Sequence, residues 1–314
     1  MSIIDLSQPD QVIALKTKIE LSLQQHHVAI LPPLDVKESM KLMQALALQP
    51  RVTMLDPWYN KGFGEIRDDY NEYILALLDL TAPLSEHIFL WGFPEIVAYF
   101  VDKLPSPLSL IAWLTWYYKN NPSVIRGWRS SQNACLHIGQ PNAKLYPEHF
   151  LNEAQQAKLA QGKLRYMPGP TSVIEGDFSD PADVIEAALL VGFVGKREQT
   201  GHPSQKPVTV FERVIAMATI EGNLVFDPMC GSGTTAVAAR KLGRLAIVTD
   251  HCEDYIRIVE QRLNLRRISL DNTQVSDNGL LHELIIEPSD QFPTQNSASE
   301  QSVDQLRFDW EQRQ

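Results

Sequence analysis

The stretch Leu224–Thr235, LVFDPMCGSGTT, decides the fold of this chain. Its first residues are apolar up to Asp227 and are typical of a buried strand, and the two glycines allow the tight turn that follows. A helix is predicted from Thr234 to Leu242, and a second strand from Leu245 to Asp250. Strand, glycine turn, helix and strand in this order indicate one half of an α/β sheet.

The rest of the chain alternates strands and helices around this half. Strands are predicted at residues 51–55, 87–91, 108–118 and 133–138, and helices at 11–25, 36–47, 94–101 and from 207 onward. This alternation predicts an α/β fold with a doubly wound, mainly parallel sheet.

Four regions follow from the pattern. Residues 1–139 hold the N-terminal helices and one half of the sheet, and residues 202–270 hold the other half. Between them, residues 140–201 are interrupted by prolines and have weak apolar periodicity, so we expect an inserted module there. Residues 271–314 are acidic and polar, and we expect them to be largely disordered.

The composition is that of a globular protein, with 44% hydrophobic and 21% charged residues. The net charge of −10 argues against a partner made of phosphates, but residues 271–314 hold nine acidic and two basic side chains. Residues 119–168 hold seven basic and two acidic ones, so a locally basic surface remains for nucleic acid. Three cysteines without a paired motif predict reduced thiols and no metal site. Without a signal peptide or a membrane-spanning stretch, we expect a cytoplasmic protein.

The glycine turn predicts a ligand that contains a nucleoside. Asp250 follows Gly231 by 19 residues, the spacing at which a carboxylate reaches a ribose hydroxyl. Asp227 would repel a pyrophosphate but would accept hydrogen bonds from an ammonium group, and the helix start at Thr234 suits a carboxylate. S-adenosylmethionine carries all three groups. A dinucleotide ligand and an ordinary glycine turn are the alternatives.

A second motif, Asp56-Pro57-Trp58-Tyr59, also ends a predicted strand. A carboxylate and a backbone carbonyl here can accept the two N–H bonds of an exocyclic amine and so stabilise the charge formed when a methyl group arrives. The ring of Tyr59 offers a flat surface for a base taken out of its stack. Taken alone, a strand end with a proline turn explains this tetrapeptide equally well.

Together the two motifs resemble the amino-methylating DNA methyltransferases, which act on adenine N6 or cytosine N4, and specifically their permuted β class. The segment His202-Pro-Ser-Gln-Lys-Pro207 is similar to the one that precedes the cofactor strand in that family. The resemblance covers residues 200–265 closely and residues 50–139 loosely. It implies a Rossmann-like S-adenosylmethionine-dependent methyltransferase fold and a site-specific DNA methyltransferase that flips its target base out of double-stranded DNA.

The resemblance also assigns residues. Residues 56–59 would be catalytic, and residues 140–201 would form the target-recognition module. The residues expected to bind S-adenosylmethionine are Ser204, Gln205, Lys206, Asp227, Pro228, Gly231, Ser232, Gly233, Thr234 and Asp250. The residues expected to contact nucleic acid are Lys119, Arg126, Arg129, Lys163 and Arg165, although a solvated surface also explains these charges.

Some features bear on the substrate. Asp56 favours adenine N6 over cytosine N4, whereas Trp58 stands where the family usually has proline. No cysteine follows a proline, which excludes the nucleophile of C5-cytosine methylation. An RNA adenine-N6 methyltransferase and a non-catalytic partner subunit remain as alternatives. The resemblance is compatible with a restriction enzyme or another defence-system partner, with a homodimer and with a bacterial or phage origin.

Overall fold

The computed structural model describes residues 8–60, 66–118, 131–174, 198–202 and 204–269. Its strands are β1 (Val28–Ile30), β2 (Val52–Leu55), β3 (His87–Gly92), β4 (Ser109–Tyr117), β5 (Gln132–Gly139), β6 (Val173–Ile174), β7 (Leu224–Asp227) and β8 (Leu245–Val248). Its α-helices are α1 (Pro9–His26), α2 (Val36–Ala45), α3 (Tyr70–Thr81), α4 (Pro94–Val97), α5 (Glu153–Ala160), α6 (Val208–Ala218), α7 (Thr234–Lys241) and α8 (Glu253–Leu263). Short 3₁₀ turns occupy Ala98–Phe100 and Pro147–Phe150.

The strands form one sheet in the order β1-β8-β7-β2-β3-β5-β4-β6. Within the described part, β5 alone runs antiparallel to its neighbours β3 and β4, and the other strands share one direction. Strands β2 and β7 are neighbours, with Thr53 beside Phe226, although they are distant in the chain. The carboxyl ends of β2 and β7 therefore meet at one edge of the sheet, where doubly wound sheets bind their ligands.

Helices cover both faces of the sheet. On one face, α1, α2 and α3 pack against side chains such as Leu55, Leu90 and Phe226. On the other face, α6, α7 and α8 pack against side chains such as Met54 and Val225. Burial on both faces explains why β2, β7 and β8 consist mostly of apolar residues. The predicted doubly wound, mainly parallel sheet is confirmed.

The structure adds elements that the sequence pattern did not predict, namely β1, α3, α5, β6 and α8. It also shows that β4 and β5 pair antiparallel, with Trp113 beside Leu136. Asp35 caps the start of α2, because its side chain accepts the backbone N–H of Lys37 at 2.8 Å. In the ranges that the structure describes, no helix combines the length and apolarity needed to cross a membrane.

The described part of the predicted inserted module, residues 140–174 and 198–201, contains α5 and β6. Asn152 and Gln155 form a reciprocal capping box at the start of α5, which explains how this helix begins without an apolar stripe. Strand β6 pairs with β4 through Val173 and Ile174, so this part of the module continues the main sheet. The domain boundaries drawn from the sequence stay predictions.

Candidate active site

The catalytic motif predicted from the sequence lies at the end of β2. Asp56 is partly exposed, and its carboxylate is held from two sides: Tyr59 donates its hydroxyl hydrogen to Oδ1 at 2.7 Å, and Nζ of Lys206 donates to Oδ2. Lys206 also donates to the hydroxyl oxygen of Tyr59 at 2.7 Å. Three side chains from two distant segments thus form a closed ring of hydrogen bonds at the edge of the sheet.

The hydroxyl of Tyr59 remains protonated in this ring. Burial and the neighbouring Asp56 carboxylate raise its pKa well above the ordinary value. Its ring packs edge-on against Phe93, with centroids 4.9 Å apart. Trp58, the next aromatic side chain along the motif, is 39% exposed, which makes it an accessible flat surface at this position.

The predicted cofactor turn follows β7. Gly231 and Gly233 have φ angles of +50° and +75°, a left-handed conformation that glycine adopts more readily than any other residue. The N–H of Gly231 donates to Oδ2 of Asp250 at 3.0 Å, and the N–H of Cys252 donates to Oδ1 at 3.0 Å. Asp250 therefore lies beside the turn, as its spacing predicted, and it joins the ends of β7 and β8.

Gly231 is also constrained by the segment before α6. A β-carbon on Gly231 would come within 2.8 Å of Nε2 of His202. The imidazole of His202 packs edge-on against Tyr255, with centroids 4.4 Å apart. Burial lowers the pKa of His202, so its ring is held here in the neutral form.

Asp227 is a buried carboxylate at the end of β7. Its Oδ1 accepts the N–H of Met229 at 3.0 Å, and its Oδ2 accepts the hydroxyl of Thr235. Burial raises the pKa of Asp227 to about 7. No Lys or Arg in the described ranges forms an ion pair with it. A buried carboxylate with neutral partners suits a ligand that brings a positive charge.

The start of α7 is surrounded by polar groups. Nη1 of Arg262 donates to the carbonyl oxygen of Ser232 and to the hydroxyl of Thr234, both at 3.1 Å. Nη2 of Arg262 lies 3.3 Å from Oε1 of Glu198. The hydroxyl of Thr234 donates to the carbonyl oxygen of Lys206 at 3.2 Å. The first turn of α7 is thereby fixed to both α8 and the segment before α6.

The segment 198–206 is ordered by its own hydrogen bonds. Oε1 of Gln205 accepts the N–H and the hydroxyl of Thr200, at 2.9 and 2.7 Å, and its Nε2 donates to the carbonyl oxygen of Glu198. Gln205 is buried, whereas Ser204 is exposed and donates its N–H to His202 at 3.2 Å. Of the three residues that the resemblance assigned to the cofactor here, Lys206 contacts the catalytic motif.

The residues expected to contact nucleic acid divide into two groups. Lys163 and Arg165 follow α5 and are exposed. Lys119, Arg126 and Arg129 lie outside the described residues. These three residues lie in the chain between β4 and β5. The last residue of β4, Tyr117, pairs with the first residue of β5, Gln132. In the described ranges, no cluster of His, Cys, Asp and Glu is arranged to hold a metal ion.

Sequence reasoning missed three contributors to this site, His202, Glu198 and Arg262. His202 belongs to the segment that carried the family resemblance, so that motif could have identified it. Glu198 and Arg262 have no local signal, because their role depends on how α8 packs beside α7.

Residues 107–261 match a family model, N6_N4_Mtase, described as DNA methylase. The chain is 27% identical over 221 residues to the type II methyltransferase M.HpaI of Haemophilus parainfluenzae, a match that covers 67% of this chain and 66% of M.HpaI. The chain therefore spans slightly less than two thirds of the length of that relative.

Two solved structures share the fold. The M1.HpyAVI–SAM complex matches with a TM-score of 0.55 and 22% identity, covering 76% of this chain and all of that one. The PvuII DNA methyltransferase, described as cytosine-N4-specific, matches with a TM-score of 0.52 and 14% identity, covering 78% of this chain and 90% of that one. At these identities the two matches show the fold alone.

Proposed function

Because the chain belongs to the amino-methylating DNA methyltransferases, we propose that it transfers a methyl group from S-adenosylmethionine to the exocyclic amine of a base in double-stranded DNA. The observation that carries this proposal is the adjacency of β2 and β7. It brings the carboxylate of Asp56 and the glycine turn after Asp227 to one edge of the sheet. An amine acceptor and a methyl donor bound there would lie side by side, which direct transfer requires.

The residues around the glycine turn fit the cofactor. Asp227 is a buried carboxylate without a described cationic partner, and we assign to it the ammonium group of S-adenosylmethionine. The N-terminus of α7 at Thr234 suits the carboxylate, and Asp250 suits the ribose hydroxyls. Pro228, Gly231, Ser232 and Gly233 belong to the turn between Asp227 and Thr234, and we assign them to the same cofactor. When bound, S-adenosylmethionine supplies a methyl group on a positively charged sulfur.

Asp56 and Pro57 are assigned to the target amine. The carboxylate accepts one amine N–H and the carbonyl oxygen of Pro57 accepts the other, which raises the electron density on nitrogen and stabilises the positive charge that develops there. The base lies against the aromatic side chains of Trp58 and Tyr59 after it leaves the duplex. Since position 56 holds Asp, we assign adenine N6 ahead of cytosine N4.

DNA contacts are assigned to cations outside the cofactor turn. Lys163 and Arg165 are exposed beyond α5, and we assign them to backbone phosphates. Lys119, Arg126 and Arg129, which lie between β4 and β5 in the chain, are assigned to the same role. The local excess of basic residues in this part of the sequence supports the assignment.

A nucleoside digest tests the proposal. The protein is incubated with S-adenosylmethionine labelled in the methyl group and with either mixed-sequence duplex DNA or RNA, and the digested nucleosides are separated. Label in N6-methyldeoxyadenosine is the expected result. Label in N4-methyldeoxycytidine would mean that the target base is cytosine and not adenine. Label in RNA alone, or cofactor binding with no labelled nucleoside, would overturn the proposal in favour of an RNA methyltransferase or a non-catalytic subunit respectively.

A further inference from the structure

Lys206 is placed at the catalytic carboxylate. Its ammonium donates to Oδ2 of Asp56 and to the hydroxyl of Tyr59, and that hydroxyl donates to Oδ1 of Asp56. Both oxygens of the carboxylate are therefore oriented by donors, so the carboxylate cannot rotate about its last bond without breaking one of them. The family resemblance had assigned Lys206 to the cofactor.

The contact between Lys206 and Asp56 is largely buried. The side chain of Lys206 is 4% exposed, and that of Asp56 is 20% exposed. The ammonium also lies 5.2 Å from the ring centroid of Tyr59 and 5.5 Å from that of Trp91. A buried ammonium is destabilising unless a carboxylate and further hydrogen bonds compensate it. Asp56 and Tyr59 supply that compensation at the place where the target amine is expected.

The backbone of Lys206 belongs to the cofactor side of the site. Its carbonyl oxygen accepts the hydroxyl of Thr234, the first residue of α7. The neighbouring Gln205 fixes the segment through Thr200 and Glu198. One residue thus joins the helix that follows the glycine turn to the carboxylate that follows β2.

Building on the proposed function, we propose that Lys206 is a positioning residue for methyl transfer, which holds Asp56 and Tyr59 in the orientation that receives the target amine. Its charge opposes the positive charge that forms on the amine nitrogen, so its electrostatic effect alone would slow the reaction. If Lys206 is removed, the loss of orientation should lower the rate of methyl transfer, whereas the loss of its charge should raise it. The proposal requires that orientation be the larger effect.

The test uses single-turnover methylation of duplex DNA by the full chain, together with calorimetric measurement of S-adenosylmethionine binding. Lys206→Met keeps the length and apolar stem of the side chain, and Lys206→Arg keeps the charge. We expect Lys206→Met to lower the rate constant for methyl transfer at least tenfold, with cofactor Kd within threefold of wild type, and Lys206→Arg to retain part of the rate. Lys103→Met, at an exposed lysine paired with Asp102, is the matched control and should leave both quantities unchanged.

Rescue by a small amine keeps the test informative if Lys206→Met folds poorly. In Lys206→Ala, ethylammonium can occupy the vacated volume, and we expect it to restore part of the rate in a saturable manner, which a general structural defect would not allow. An unchanged or faster rate in Lys206→Met would overturn the proposal, and so would a cofactor Kd that weakens by the same factor as the rate. A wild-type protein that methylates no DNA overturns the proposed function itself.

Discussion

The imidazole of His202 lies over the α-carbon of Gly231, so that a β-carbon at that position would come within 2.8 Å of Nε2. This relationship brings the segment before α6 onto the turn that follows β7. Glycine at position 231 is therefore required twice, by its φ of +50° and by the ring above it.

Gly231→Ala tests both requirements. We expect it to weaken S-adenosylmethionine binding at least tenfold and to lower the free energy of unfolding by about 1–2 kcal/mol from backbone strain alone. Gly222→Ala is the matched control, since Gly222 has φ +79° and, apart from its chain neighbours, no described residue has an atom within 4 Å of the place that the new methyl group would take. It should lose similar stability and keep cofactor affinity, as measured by calorimetry and urea unfolding. Equal affinity in the two variants would contradict the role given to position 231.

The pKa of about 7 at Asp227 predicts a pH dependence of cofactor binding. The carboxylate is charged at pH 8 and mostly protonated at pH 6, so affinity for the ammonium group should fall as the pH drops below 7, by up to about tenfold per unit. Calorimetric Kd values between pH 8 and 5.5 check this expectation. In Asp227→Asn the affinity should be low throughout, and a pH profile that matched wild type would argue against the assignment.

Asp227 also affects stability. Burial raises its pKa above the ordinary value of 3.8, so its contribution to stability is fully present below pH 3.8 and is lost as the pH rises through 7. In the cofactor-free protein at pH 8, Asp227→Asn should therefore unfold at a urea concentration equal to or higher than that of wild type. A clear loss of stability at pH 8 would indicate that the charged carboxylate supports the fold.

Asp56→Ala separates catalysis from cofactor binding. Because Asp56 is assigned to the amine and not to the methyl donor, the rate constant for methyl transfer should fall by about 100- to 1,000-fold or more. The calorimetric Kd for S-adenosylmethionine should stay near that of wild type. If cofactor binding collapsed together with the rate, Asp56 would have a structural role instead.

Lys163 and Arg165 are expected to neutralise DNA phosphates. Lys163→Ala and Arg165→Ala should each reduce the slope of log Kd for DNA against log salt by about 1, uniformly across sequences. Fluorescence anisotropy at several salt concentrations measures that slope. Lys103→Ala, at a residue with no assigned DNA contact, provides the comparison, and three equal slopes would remove these residues from the DNA surface.

A buried histidine pair in the sheet predicts acid sensitivity. Nδ1 of His87 lies 3.0 Å from Nε2 of His137, and burial lowers their pKa values to about 4 and about 3. Both rings stay neutral in the folded protein while the unfolded chain takes up protons below pH 6.5, so stability is lost as the pH falls from 6.5 towards 4. Each histidine contributes up to about 1.4 kcal/mol per pH unit.

Urea unfolding at pH 7, 6 and 5 measures this loss. His137→Phe removes one of the titrating groups and should flatten the dependence on pH, even though it leaves His87 without its ring partner. His27→Asn is the control, because His27 is exposed and its φ of 62° suits Asn. An unchanged pH dependence in His137→Phe would refute the explanation.

The sequence predicted the parts of the fold that have local signals. The strand, glycine turn and helix from Leu224 to Lys241 were predicted because apolar residues, φ-permissive glycines and a helix stop occur in one short stretch. Strand β1 was missed because its three residues show no periodicity. The antiparallel pairing of β5 was missed because strand direction depends on long-range connections.

The candidate site shows the same division. Asp56, Asp227 and Asp250 were predicted because each one ends a strand. The contact between Lys206 and Asp56 spans 150 residues and depends on β7 lying beside β2, a strand order that no local pattern contains. Arg262 was missed for the same reason, since its contact with Thr234 depends on helix packing.

Strands β2 and β7 are held together by their backbone pairing and not by a direct connection. The site therefore requires that β2 and β7 pair, but it does not require that the motifs after them follow each other in a particular order along one chain. A break at the exposed Gly162, where an added β-carbon would meet none of the described residues beyond its chain neighbours, would leave the motif at Asp56 on one polypeptide and the glycine turn after Asp227 on another. The pairing of β2 with β7 would join the two motifs only after such fragments met, so we expect methyl transfer by a divided chain to depend on whatever brings the two polypeptides together.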